Sequence, residues 1–234
     1  MITTLAVLAV SIIGQNPSIN DVLQKNFDDA SFTARKKVGD QRELAKINRD
    51  FGQSYRFAYT NVKLKEPLML RLDTKVDDTS LVFILNGTRQ MIKAGPINQK
   101  NDLSRSPGRR QTPLDFGLLT PSMFRDLFVA KFVRVDRATD NYVFDLTYLP
   151  KFDDTSRHRV WIDPERKYTT KREWYNQSGR QLATFLYEEP KQADGMWLPT
   201  QLTVKNMDNK TAGVTEYEGV RINQGISAEL FRIP

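Results

Sequence analysis

Apolar and polar positions change period along this chain, and each change marks a predicted element. Ser18 with Asp21 reads as a capping pair ahead of Ile19, Val22, Leu23 and Phe27, which fall at helical spacing. A second, more polar helix is predicted over 34–48. From residue 54 the period drops to two. Tyr55, Phe57 and Tyr59 alternate with polar or small residues, and so do Leu68, Leu70 and Leu72. An apolar run over 81–85 closes on Asn86-Gly87, the dipeptide of a two-residue hairpin, and 88–92 supplies the returning strand. Residues 93–120 hold Gly-Pro, Ser-Pro-Gly and Thr-Pro steps with little period, which predicts a long loop. Thr120-Pro121 then starts a helix carrying Met123, Leu127 and Phe128 on one face and ending near Phe132. Strands follow over 132–135, 142–149, 158–162, 169–175, 181–188, 197–204 and 213–222. No strand–helix–strand rhythm occurs. The expected class is α+β: an unclosed antiparallel β-barrel of about ten or eleven strands, with helices covering its concave face.

Several strands carry apolar groups on both phases, as in 181–188, where Ala183, Phe185 and Tyr187 alternate with Leu182, Thr184 and Leu186. A sheet of that kind needs a filler for its inner side: helices, its own side chains or an apolar ligand. Trp161, Trp174 and Trp197 either line a cavity or fill the barrel and its seams.

Composition narrows the chemistry. With 234 residues, 39% hydrophobic and 10% aromatic, the chain has enough apolar material for a packed core. It has no cysteine and a single histidine, His158, which excludes disulfide scaffolds, thiol catalysis, Cys-ligated metal centres and His-rich metal sites. No nucleophile elbow or catalytic triad pattern is present. The expectation is therefore no enzyme, no cofactor and no metal. The formal charge is +7, from 35 Lys and Arg against 28 Asp and Glu. Acidic residues are interspersed throughout, and no phosphate cradle, zinc finger or RNA-reading motif accompanies the charge, so no nucleic acid partner is expected. The densest basic cluster, Arg105, Arg109 and Arg110, reads as an exposed loop.

The first 14 residues carry no charged side chain, and Leu5 to Ile13 is an apolar run. That run is too short for a bilayer, which takes roughly 20 helical residues. It suits a secretory signal over 1–14, followed by a single domain over 15–234. Without cysteine the chain cannot itself be acylated as a bacterial lipoprotein, so it is expected in the periplasm or cell envelope, exported and not lipid-anchored.

The stretch from Trp161 carries a recognisable series: Trp161-Ile162-Asp163-Pro164, then the Asn176–Gly179 hairpin, then Asp194-Gly195-Met196-Trp197-Leu198-Pro199, with a closing segment from Ile226 to Pro234 containing Phe231. From about residue 140 to the end the sequence resembles the outer-membrane lipoprotein-sorting, or LolA-like, family. The resemblance implies an exported, non-catalytic protein whose barrel holds acyl chains on an apolar concave face. It also implies an inner-strand arginine; Arg56 and Arg71 lie on early predicted strands and are the candidates for a polar contact. Candidate ligand-binding residues are Phe57, Tyr59, Leu70, Leu72, Phe83, Met123, Leu127, Phe128, Phe144 and Phe185. The expected partners are an acylated lipoprotein or a lipid, with membrane-associated donor or acceptor proteins, and a carrier of this kind works as a monomer. The physical basis is the ~0.8 kcal/mol gained per buried CH₂. The alternative is a non-catalytic envelope module of the same fold with a filled interior.

Overall fold

The computed structural model describes residues 16–48, 51–52 and 55–234. The predicted leader over 1–14 lies outside them. The N-terminal half supplies β1 (Asp29–Gly39), β2 (Tyr59–Lys65), β3 (Met69–Val76), β4 (Thr79–Asn86), β5 (Arg89–Ala94) and β6 (Ile97–Asp102). The C-terminal half supplies β7 (Phe128–Val135), β8 (Tyr142–Tyr148), β9 (Arg157–Ile162), β10 (Thr169–Tyr175), β11 (Gln181–Glu188), β12 (Lys191–Ala193), β13 (Met196–Leu198), β14 (Gln201–Asn206) and β15 (Thr211–Ile222). Two short helices, α1 (Gln41–Ala45) and α2 (Pro121–Asp126), complete the regular elements named here.

Thirteen strands form one antiparallel sheet in the order β6-β5-β4-β3-β2-β1-β15-β14-β11-β10-β9-β8-β7, and β12–β13 form a separate hairpin. Two meanders thus meet where β1 pairs with β15, the two longest strands. The far ends, β6 and β7, do not pair, so the sheet stays unclosed and "barrel" overstates it. The α+β class and open sheet are as expected; the strand count is higher.

Pairing in register keeps one face apolar. Phe32 stands opposite Val62, Leu64 opposite Leu70, Leu70 opposite Leu85, and Ala34 opposite Tyr217. In the other half Phe144 stands opposite Val160, and Phe185 opposite Val204. These residues belong to three buried clusters on the inner face. The outer face of β3–β5 is covered differently. Phe231, fully buried, and Ile233 pack there against Ile84 and Met91.

Residues 103–127 connect edge strand β6 to edge strand β7, and they do so across the inner face. Leu103 and Leu118 join the cluster of the N-terminal half, while Leu114, Leu119, Met123 and Leu127 join that of the C-terminal half. This connection fills the hollow of the sheet.

Several local expectations need correction. The helix expected at Ile19–Phe27 is one 3-10 turn, Ile19–Asp21, although its Ser18/Asp21 capping box is formed. The amide of Gln24 donates to Leu119 O (2.9 Å) and so leaves the helical ladder. Residues 34–39 belong to β1, because they pair with residues 213–217 of β15, and Ala34 and Arg35 pair with β2 as well. Only Gln41–Ala45 is helical, with Asp40 accepting from the amides of Arg42 and Glu43. The long loop expected over 93–120 starts later: 97–102 is β6, a polar edge strand paired with β5. The helix expected to reach Phe132 stops at Asp126, and Phe128 opens β7. The strand expected over 197–204 is broken into β13 and β14, since Thr200 N–H turns to Glu188 O and Glu189 O.

Candidate functional site

The inner face and its cover form the candidate site. Residues 103–127 are bound to the rest of the described chain by four backbone hydrogen bonds: one at each end, Leu103 N to Thr88 O (2.7 Å) and Leu149 N to Leu127 O (2.8 Å), and two between, Gln24 N to Leu119 O and Thr169 N to Gly117 O (both 2.9 Å). The other anchors are side chains. Tyr187 Oη donates to Leu114 O (2.7 Å). Thr120 and Ser122 hydroxyls donate to one Glu66 oxygen (2.7 and 2.8 Å). Gly117 has φ +81°, and a Cβ there would meet Pro199 at 2.8 Å and Tyr187 at 3.0 Å, so the cover approaches the sheet closely at this point.

The strongest anchor is ionic. Arg172, on the inner side of β10, is 5% exposed and donates from Nη1 to Asp115 Oδ1 at 2.8 Å. Its guanidinium lies over the Phe185 ring, 4.0 Å from the centroid. Asp115 also accepts from the amide of Thr112 (2.8 Å), which fixes the 3-10 turn Pro113–Phe116 that presents it. Around this pair the interior is polar and incompletely satisfied. Arg172 Nε, His158 Nδ1, Thr169 Oγ1 and Tyr217 Oη are buried without a hydrogen-bond partner. Burial, followed by the charge of Arg172, pushes His158 well below its ordinary value. Burial likewise raises the phenols of Tyr187 and Tyr217. His158 is packed between Phe128 and Tyr148, with centroids 5.9 and 6.4 Å away.

Two hollows lie beside the sheet. One, about 550 Å³, opens between the β12–β13 hairpin and β14–β15; its wall is mixed, with Leu198, Tyr217 and Val220 beside the charged Glu189, Lys191 and Glu218. Tyr217, in its wall, also packs on Phe116 of the cover, at 6.1 Å between centroids. The other, about 420 Å³, is an apolar groove beside β7 lined by Ile19, Leu23, Phe124, Phe128 and Leu149.

The candidate residues distribute unevenly. Leu70, Met123, Leu127, Phe128, Phe144 and Phe185 are buried on or against the inner face, and Leu72 and Phe83 are half-buried there. Phe57 is half-buried beside Tyr55, before β2 begins. Tyr59 pairs with Arg35 on the outer face and is 39% exposed. Arg56 pairs with exposed Asp77, and Arg71 with Asp73 and Leu230 O. The structure therefore brings neither arginine to the inner face. It brings Arg172, which the sequence reading did not single out. The available signal was phase: Arg172 and Trp174 share the inward side of the 169–175 strand, and Arg172 falls opposite Phe185. Arg110, expected to be exposed, is buried and donates to Leu103 O and Ser104 O, tying off the start of the cover. None of the three tryptophans lines either hollow. Trp161 is on the outer side, donating to Asp136 (3.0 Å) under Lys171.

The overall fold is shared with solved structures. A LolA superfamily protein from Nitrosomonas europaea superposes with a TM-score of 0.62 at 16% identity, over 92% of this chain and 94% of that one. The fold is LolA-like. An outer membrane lipoprotein-sorting protein domain from Vibrio parahaemolyticus gives 0.60 at 13% identity, over 92% and 93%. A DUF1329 family protein from Desulfovibrio piger gives 0.58 at 13%, over 92% of each chain. A family model described as an uncharacterized protein matches residues 120–233, the half of the LolA-like fold from α2 onward. No curated protein matches the sequence significantly. Among the described residues there is no cluster of three or more His, Cys, Asp or Glu suited to a metal, and no helix long and apolar enough to cross a membrane.

Proposed function

We propose that this protein is a non-catalytic carrier of the cell envelope that binds the acyl chains of a lipoprotein or lipid on its inner face, after residues 103–127 lift away. The observation that carries the reading is the cover itself: a mostly irregular segment with an apolar underside, laid over an apolar sheet and joined to it by few backbone bonds. Such a segment can open at less cost than a strand. Each CH₂ that the apolar inner face takes from water gains ~0.8 kcal/mol.

The filled interior favours a second reading, an envelope interaction module that never opens. Native mass spectrometry on protein gently purified from an envelope-expressing bacterial host separates the two. The carrier retains a fraction with lipid mass and takes up a palmitoylated peptide; the module does neither.

A further inference from the structure

We propose that the outer edge of β7 is a docking strand for an extended, acidic segment of a partner protein, which joins the sheet as a further strand. The two edges of the sheet are built differently. β6 reads Ile-Asn-Gln-Lys-Asn-Asp; Asn101 donates to Gln90 (2.8 Å) and Lys100 to the Pro234 carbonyl (2.5 Å). A short polar strand of this kind is a blunted edge. β7 reads Phe-Val-Ala-Lys-Phe-Val-Arg-Val and carries three exposed valines: Val129 at 46%, Val133 at 36% and Val135 at 42%. Its register with β8 is unbroken from Phe128 to Phe132, so it offers a regular row of outward amides and carbonyls that no described strand meets. In the free protein water satisfies those groups, and an incoming strand can take its place.

Charge decides what kind of strand. Lys131 stands opposite Asp145 in the β7–β8 register, but that carboxylate is already held by Arg157 and Arg159 at 3.3 and 2.7 Å, and neither Lys131 nor Arg137 makes an ion pair within 4 Å among the described residues. Arg134 has only Asp136 at 3.7 Å, and that carboxylate also accepts from Trp161 and the amide of Ala138. The edge is therefore cationic. A second copy of β7 would set Lys131 and Arg134 against like charges, which disfavours self-pairing. An incoming strand with alternating acidic and apolar residues places its acids near Lys131 and Arg134. Its apolar side chains then reach the groove of Leu23, Phe124, Phe128 and Leu149. This inference does not depend on the acyl-chain reading.

The test is fluorescence anisotropy of a labelled six-residue peptide alternating valine and glutamate, titrated with the full chain, and hydrogen exchange to locate it. The expected result is saturable binding, with new amide protection in β7 and none in β6. Lys131→Glu with Arg134→Glu should weaken binding at least about tenfold and let a valine–lysine peptide bind instead. Lys131→Glu alone, the milder change, should weaken it in the same direction. Failure of the peptide to bind, unchanged affinity in both variants, protection on β6, or binding of phosphatidylglycerol vesicles in place of the peptide would each overturn the proposal.

Discussion

Replacing Asp115 with asparagine removes the charge opposite Arg172 while leaving an oxygen to receive the Thr112 amide. The guanidinium, with 6% of its side chain exposed, then stays buried with no counter-charge. Breaking a fully buried ion pair from one side costs about 3–5 kcal/mol. The Asp115 side chain is 33% exposed, so water relieves part of this, and about 2–3 kcal/mol is expected. If the cover opens as a unit, that energy raises its open population roughly 30- to 150-fold. Hydrogen–deuterium exchange read by mass spectrometry should show that acceleration in peptides from 104–126, with β1 and β15 unchanged. The double variant Asp115→Leu with Arg172→Met, which buries no charge, should restore most of the protection. Equal acceleration across the whole sheet, or none in the cover, refutes the reasoning, because the segment would then be an inseparable part of the core.

Three further outcomes follow from the packing and the titrating groups. His158 has a folded value depressed by burial, so the unfolded chain binds the proton first; stability should be full above about pH 6.5 and fall as pH drops below it. Urea unfolding at pH 7.5 and 5.5 should show this loss, and His158→Gln should flatten it. A Cβ at Gly213 would lie 2.5 Å from the Tyr55 ring, so Gly213→Ala should cost about 1–3 kcal/mol in a thermal melt. Phe231→Ala should destabilise by about 3–5 kcal/mol, read as a lower urea midpoint, because its ring is fully buried against the outer face of β3–β5.

The sequence carried the C-terminal strands well because their information is local. Residues 169–175 and 181–188 are β10 and β11 as expected, set off by the Asn176–Gly179 turn signal between them, and Asn86-Gly87 turns β4 into β5 with Gly87 at φ +60°. β1 was not legible, since Ala30, Ala34 and a lysine-rich end suit a helix. Its strand conformation comes from pairing with β15, nearly 200 residues away. β6 was hidden for the opposite reason: a polar edge strand shows no alternation of hydrophobicity. The site was half legible. Apolar inward residues such as Phe144 and Phe185 follow from phase, but the Arg172–Asp115 pair joins a strand to an irregular segment, and no local pattern links two such positions.

The opening of the cover is tested most directly by a distance. The chain has no cysteine, so spin labels on Arg109→Cys in the cover and Gln177→Cys at the β10–β11 turn, both exposed positions, report it without background. With a palmitoylated peptide the measured distance should lengthen, and with the same peptide lacking its acyl chain it should stay as in the free protein. A palmitoylated peptide that binds without changing the distance, or that does not bind, would contradict an inner face that opens to hold an acyl chain.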